Sequence, residues 1–166
     1  MPVSTKFGRD LIKDWINKQT DIKTIVDLGP GSGTYAKLLG NKYIWKAVEI
    51  WAPSIKKYKL NSLYSEIRIG DMQYMELPDG DLCISGSCLE HLPKPAAIRT
   101  FNKIDKQFKH VILKIPVMSN SKDVINGNWF ESHLSVWSLE ELEKLVPPTY
   151  KIRKLYQNRT PMVFIK

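Results

Sequence analysis

Residues 24–33 have the sequence TIVDLGPGSG. The first five are apolar or β-branched apart from Asp27, a pattern typical of a buried parallel strand. Glycines then alternate from Gly29 to Gly33, and residues 34–39 can begin a helix. Glycine tolerates positive φ and close approach of a ligand, and the first turn of a helix offers free N–H groups. This strand, turn and helix predict a site for a nucleotide-type cofactor.

The spacing of the glycines separates possible cofactors. A dinucleotide-binding turn has the pattern G-x-G-x-x-G, but here Gly33 comes one position early. No Lys-Ser or Lys-Thr follows, so the turn is not a P-loop. The pattern D-x-G-x-G-x-G instead resembles the first motif of class I S-adenosylmethionine-dependent methyltransferases. In that family the glycines make room for the methionine part of the cofactor, and the acid helps to hold its ammonium group.

The resemblance implies that S-adenosylmethionine is the cofactor and S-adenosylhomocysteine the product. It assigns cofactor-binding roles in this turn to Asp27, Gly29, Pro30, Gly31 and Gly33.

Acidic residues also close the next two predicted strands. Trp45 to Ile50 is predicted as the second strand, with Glu49 where α/β nucleotide-binding folds place an acid that accepts both ribose hydroxyls. The third strand is followed by Gly70-Asp71-Met72. The resemblance implies that Asp71 accepts the adenine amine and that the Met72 backbone meets the ring. We therefore expect Glu49, Ile50, Asp71 and Met72 to contact the cofactor.

The fourth predicted strand runs into a second motif. Leu89-Glu90-His91-Leu92-Pro93 resembles the segment after this strand in small-molecule O-methyltransferases, such as those of ubiquinone biosynthesis. No Asn/Asp-Pro-Pro-Tyr follows the strand, which argues against methylation of adenine, cytosine or glutamine amines. Ser87, just before the motif, is expected to contact the cofactor.

Two histidines are the candidate catalytic residues. His133 lies in residues 118–137, which lack clear periodicity and are predicted to form a lid. The segment around His133 resembles one that brings a histidine and an aromatic residue over the acceptor in the same methyltransferases. His91 follows the fourth strand. A neutral imidazole can take a proton from a hydroxyl group near pH 7.

A metal site is not predicted. Glu90, His91, Glu131 and His133 are suitable residue types. However, the metal-binding relatives carry a further acid three residues before Glu90, where this chain has Ser87.

Lys114 is unusual because it lies within the fifth predicted strand, His110 to Val117, in an otherwise apolar run. We expect its long side chain to reach solvent from the strand end. Some RNA 2′-hydroxyl methyltransferases have a catalytic lysine on this strand. Their partner aspartate is absent here, since Ser85-Gly86-Ser87 stands at that place.

The whole pattern predicts an α/β fold. Five strands alternate with helices, beginning with a helix at 4–19, and a last helix has a capping box at Ser138 and Glu141. A closing hairpin is predicted over residues 150–165. The expected architecture is a three-layer sandwich with a seven-stranded, mostly parallel sheet and a C-terminal antiparallel hairpin, a Rossmann-like methyltransferase fold. Residues 1–166 are predicted to form one domain.

Composition narrows the location and the partners. The chain of 166 residues has a net charge of +8, which allows a nucleic-acid partner. No membrane span or signal peptide is visible. Its two cysteines suit reduced thiols, so a cytoplasmic location is expected.

These patterns predict an S-adenosylmethionine-dependent methyltransferase. We expect transfer to oxygen rather than nitrogen of a small or exposed acceptor, whose identity the sequence leaves open. The alternatives are a methyltransferase acting on RNA or another nucleic acid, an NAD-dependent oxidoreductase and a non-catalytic cofactor-binding protein.

Overall fold

A computed structural model describes residues 6–119, 127–156 and 161–166. Its strands are β1 Thr24–Leu28, β2 Ile44–Glu49, β3 Glu66–Ile69, β4 Leu82–Gly86, β5 His110–Pro116, β6 Ile152–Leu155 and β7 Pro161–Ile165. They form a seven-stranded sheet of order β3-β2-β1-β4-β5-β7-β6. The first five strands are parallel, and β7 is antiparallel to both β5 and β6. Successive strands are added to one side of β1 up to β3 and to its other side from β4 onward. Open α/β sheets bind their ligands at this change of strand order, here between β1 and β4.

The described residues form five α-helices, α1 Arg9–Asn17, α2 Thr34–Leu39, α3 Ala52–Lys57, α4 Lys94–Gln107 and α5 Leu139–Leu145. Of these, α2, α3 and α4 connect parallel strands, and the described residues between β3 and β4 include no helix. Short 3-10 turns lie at Gly40–Lys42, Leu60–Ser62, Leu89–His91 and Trp129–Glu131.

Two hydrophobic clusters pack on opposite faces of the sheet. Successive residues of a strand point to opposite faces, so Ile25 joins the cluster that contains α1, while Val26 joins the cluster that contains α4 and α5. The layers are therefore helices, sheet and helices. This confirms the predicted fold class, including the antiparallel strands at the C-terminal edge.

The sequence predicted the start of the last helix correctly but not that of the first. The capping box at Ser138 and Glu141 is present at the start of α5. The first helix begins at Arg9 after Gly8, which has a φ of 82°, so it is shorter than the predicted 4–19. Residues 4 and 5 of that predicted helix lie outside the described residues, as do residues 120–126 of the predicted lid and the hairpin turn at 157–160.

The expectation for Lys114 was wrong. Its side chain is buried, with 0% of its surface exposed, because β5 is a central strand covered on both faces. The pKa of Lys114 is lowered to about 8, mainly by burial and also by the charge of Arg9, against the opposing charge of Glu90. The lysine is thus an interior group near the carboxyl end of β5.

Among the described helices, none combines the length and apolar character needed to cross a membrane.

Candidate functional site

The turn after β1 uses backbone conformations that strongly favour glycine. Gly29, Gly31 and Gly33 have φ values of 64°, 55° and 75°. The Gly29 N–H donates to the carbonyl oxygen of Val48 at 2.9 Å, which fixes the turn against β2. A Cβ atom at Gly29 would lie 2.6 Å from the Sγ atom of Cys88. The turn is therefore closely packed against the segment that follows β4.

Gly29→Ala is expected to destabilise the protein by about 2–4 kcal/mol, from an unfavourable backbone conformation and from the overlap with Cys88. Gly127→Ala is the matched control, because Gly127 has a φ of 75° but no described atom within 4 Å of the place where a Cβ atom would lie. Chemical denaturation should show a smaller loss of unfolding free energy for Gly127→Ala than for Gly29→Ala. Adding Cys88→Ala to Gly29→Ala should recover the part due to overlap. Equal losses at the two glycines would contradict this explanation.

Asp27, in β1, is a buried carboxyl group with 2% exposure. The hydroxyl of Tyr64 donates to its Oδ2 atom at 2.7 Å. Burial raises the pKa of Asp27 to about 7, with the hydrogen bond from Tyr64 opposing the shift and the charge of Glu49 adding to it. A cation beside this group would stabilise the carboxylate. Sequence reasoning missed Tyr64, which is 37 residues away and lies in no motif.

Glu49 ends β2 and is also buried. Its Oε1 atom accepts a hydrogen bond from the Trp51 N–H at 2.8 Å. Burial raises the pKa of Glu49, while the N–H groups of Trp51, Ile50 and Gly31 and the nearby Ser54 hydroxyl, which donates to the Trp51 carbonyl oxygen, lower it. The carboxylate thus joins the turn after β2 to the glycine turn after β1.

Asp71 and Met72 follow β3 beside this carboxylate. The Gly70 N–H donates to the backbone oxygen of Glu49 at 3.0 Å, which joins the two strand ends. Asp71 accepts hydrogen bonds from the backbone and side-chain nitrogens of Gln73 at 2.9 and 3.0 Å. Met72 is buried. The predicted cofactor-binding residues after β1, β2 and β3 therefore share one edge of the sheet.

The segment after β4 completes this edge. Ser87 has a positive φ of 62°, and its N–H donates to the backbone oxygen of Lys114 at 2.8 Å. The backbone oxygen of Glu90 accepts from the N–H groups of Leu134 and Ser135 at 2.9 and 3.0 Å. These bonds fasten the segment after His133 to the 3-10 turn at Leu89–His91.

The two predicted catalytic histidines lie together as a result. The ring centroids of His91 and His133 are 5.0 Å apart, with an edge-to-face angle of 75°. The Nδ1 atom of His91 is 3.2 Å from the Ser132 carbonyl oxygen, and that of His133 is 3.3 Å from the Ser119 carbonyl oxygen. Burial lowers the pKa of His91 and the charge of His133 adds to this effect, while backbone groups of Ser132, Ser87 and Glu131 oppose it.

Glu90 lies beside these rings and is 1% exposed. Burial raises its pKa to about 8, against the opposing charge of Lys114. Its Oε2 atom has no hydrogen-bond donor within the described parts of the chain. One ligand atom from each of Glu90, His91 and His133 lies within 4.8 Å of the others.

Aromatic side chains border the same edge. Trp129 and Phe130 are exposed, and the Phe130 ring is 6.2 Å from that of Trp51, beside Glu49. The described part of the predicted lid therefore reaches the turn after β2. The lid function itself stays a prediction.

Comparison with known proteins identifies the family. The model of the methyltransferase-domain family matches residues 26–110, just over half of the chain, from β1 to the first residue of β5. No curated protein matches significantly.

Solved structures have the same fold. An S-adenosylmethionine-dependent methyltransferase from Clostridium acetobutylicum ATCC 824 superposes with a TM-score of 0.72 at 15% identity, covering 99% of this chain and 92% of that one. Magnesium protoporphyrin IX methyltransferase from Synechocystis PCC 6803, with S-adenosylhomocysteine bound, superposes with a TM-score of 0.68 at 12% identity. The match covers 95% of this chain and 80% of that one. Mitomycin 7-O-methyltransferase gives 0.64 at 12%, covering 95% of this chain and 53% of that one.

The residues at the sheet edge fit the cofactor of this family. The glycine turn leaves no space for side chains toward Cys88, and two buried carboxyl groups, Asp27 and Glu49, suit an ammonium group and a ribose. The chain therefore belongs to the methyltransferase-domain family and is a class I S-adenosylmethionine-dependent methyltransferase.

Proposed function

We propose that the protein transfers a methyl group to an oxygen atom of a small or exposed acceptor. The observation that carries this proposal is the contact between His91 and His133, whose ring centroids are 5.0 Å apart. The rings lie at the carboxyl end of β4, next to the turn that packs on Cys88. An acceptor hydroxyl between these rings and the glycine turn would lie beside the methyl donor.

The roles of the cofactor-binding residues follow from their positions. Glu49 would accept the ribose hydroxyls, Asp27 would hold the ammonium group, and Asp71, Met72 and Ser87 would line the rest of the site. When bound, S-adenosylmethionine supplies a methyl group that is already activated by the sulfonium. The protein mainly has to align the acceptor and exclude water.

The histidine pair favours oxygen as the acceptor atom. A carbonyl oxygen can only accept a hydrogen bond, so each Nδ1 that bonds to one carries the proton and leaves a lone pair on Nε2. Such a nitrogen can draw the proton from a hydroxyl group. A neutral amine acceptor carries its own lone pair and needs no such group before it attacks. The name of one structural relative, mitomycin 7-O-methyltransferase, agrees with transfer to oxygen.

The test is transfer of labelled methyl from S-adenosylmethionine into cell extract split into RNA, protein, lipid, glycan and small-molecule pools. We expect label on oxygen in the small-molecule or glycan pool. Label in RNA, with affinity that falls steeply with salt, would favour a nucleic-acid acceptor, which the net charge of +8 would attract. Tight cofactor binding without transfer to any pool would favour a non-catalytic binding protein.

Cofactor affinity should depend on pH through Asp27. Its pKa is about 7 in the free protein, so below pH 7 it is mainly protonated, and binding an ammonium group beside it must release the proton. Affinity should therefore rise from pH 5.5 to about 7 and level off above that. Calorimetry in buffers of different ionisation enthalpy measures the released proton.

Asp27→Asn is the control for this pH dependence, because Glu49 and Tyr64 face the same region and remain in the variant. The variant should bind more weakly, with a flatter pH profile. An unchanged slope would assign the proton to another group.

We also propose a cytoplasmic location. Cys83 and Cys88 are both free and buried. Reduced thiols are usual in that compartment.

A further inference from the structure

We propose that Glu90, His91 and His133 bind a divalent transition-metal ion. One ligand atom from each lies within 4.8 Å of the others. Ligand atoms about 2.0–2.2 Å from a zinc ion lie roughly 3–3.5 Å from one another. Closing the cluster around an ion therefore needs side-chain movements of roughly 1 Å.

The surroundings of Glu90 support a cation site independently. The residue is 1% exposed, and its Oε2 atom has no donor in the described ranges 6–119, 127–156 and 161–166. Burying a carboxyl oxygen without a hydrogen-bond donor is costly, and an ion at the cluster would give Oε2 a partner. The charge of Lys114 acts on the same carboxylate from β5. A competing explanation is that this lysine alone balances Glu90, and the experiment separates the two.

The hydrogen bonds of the two histidines fit a role as metal ligands. Each Nδ1 atom faces a backbone carbonyl oxygen, that of Ser132 for His91 and that of Ser119 for His133. Metal-binding histidines commonly donate their second ring N–H in this way, which fixes the tautomer and leaves Nε2 for the metal. The backbone bonds from Leu134 and Ser135 to Glu90 hold the two segments of the site together before any ion arrives.

The residue types select the ion. Two imidazoles and one carboxylate suit Zn²⁺, Fe²⁺ or Co²⁺, whereas Mg²⁺ prefers oxygen ligands. Three protein ligands leave a position open, which is the arrangement of catalytic rather than structural zinc sites. If the proposed function holds, the acceptor oxygen takes that position. A bound ion would supply Lewis acidity that favours the deprotonated acceptor oxygen, with the proton released to solvent, and the two histidines would then serve as ligands rather than as bases.

The experiment is titration of metal-free protein with Zn²⁺ by calorimetry and with Co²⁺ by visible absorption. We expect one ion per chain and Co²⁺ bands of a site with nitrogen and oxygen ligands. His133→Ala and Glu90→Gln should each weaken binding at least tenfold. His110→Ala is the matched control. His110 is the one histidine of the chain outside the cluster, and its ring lies 3.0 Å from Asp21 at the opposite end of the sheet. It should bind like the unmodified protein.

Absence of stoichiometric binding by folded protein would overturn the metal site and leave Glu90 balanced by Lys114 alone. Binding that survives His133→Ala but is lost in His110→Ala would overturn it equally. Thermal unfolding of each variant checks that it is folded. Failure of the metal site is distinguishable from failure of the proposed function, because binding is measured without turnover. Methyl transfer that persists in metal-free protein would remove the ion from the reaction while leaving O-methylation intact.

Discussion

His91→Ala and His133→Ala are each expected to lower kcat for methyl transfer by about 10²–10⁴-fold, the usual contribution of a group that removes a proton in the transition state. Loss of a metal ligand at the same position would also lower kcat, so the prediction holds whether or not an ion is bound. Affinity for S-adenosylmethionine should change little, because neither ring belongs to the turns after β1 and β2. The measurement is initial rate at saturating cofactor with the acceptor found by labelling.

His110→Ala is again the control, since it removes an imidazole from the amino end of β5 and leaves the site intact. His133→Ala is the safer test of the pair, because His133 is only partly buried and lies in a loop. Retained activity in both site variants would remove the histidines from the reaction. A loss of rate that tracks loss of cofactor affinity or of thermal stability would assign them a structural role.

The sequence predicted those features of the candidate site that depend on residues close together in the chain. Asp27 and the glycines up to Gly33 lie within seven consecutive residues, and their geometry is set by backbone conformations that only glycine adopts easily. Glu49 follows from the rule that parallel strands present their carboxyl ends at one edge. The capping box of α5 is likewise a pattern of four residues, Ser138 to Glu141.

Contacts between segments that are distant in the chain could not be predicted from local sequence patterns. The hydrogen bond from Tyr64 to Asp27 joins residues 37 apart, and the bonds from Leu134 and Ser135 to Glu90 bring a second segment to the end of β4. Lys114 was misjudged for a related reason. Its burial depends on β7 covering the outer edge of β5, which is decided by pairing across the sheet.

Glu49→Ala is expected to weaken S-adenosylmethionine binding by about 10²-fold or more. In the proposed binding mode the carboxylate would accept two ribose hydroxyls, and each hydrogen bond to a charged group contributes about 1.5–3 kcal/mol. Every 1.4 kcal/mol is about a tenfold change in affinity, so losing both bonds costs at least two orders of magnitude. Calorimetry with S-adenosylmethionine and with S-adenosylhomocysteine should show the same loss, because both carry the ribose.

A purely structural role for Glu49 predicts a different pattern among variants. Its Oε1 atom accepts from the Trp51 N–H, and the nearby Ser54 hydroxyl donates to the Trp51 carbonyl oxygen at 2.8 Å. Ser54→Ala removes that hydroxyl but keeps the carboxylate, so it should retain most of the affinity if the ribose is the ligand. Glu49→Gln keeps an oxygen that can accept from the Trp51 N–H but loses the negative charge. Its affinity for S-adenosylmethionine should therefore lie between those of Ser54→Ala and Glu49→Ala. If Ser54→Ala binds as weakly as Glu49→Ala, the carboxylate acts by holding the turn after β2 rather than by binding the sugar.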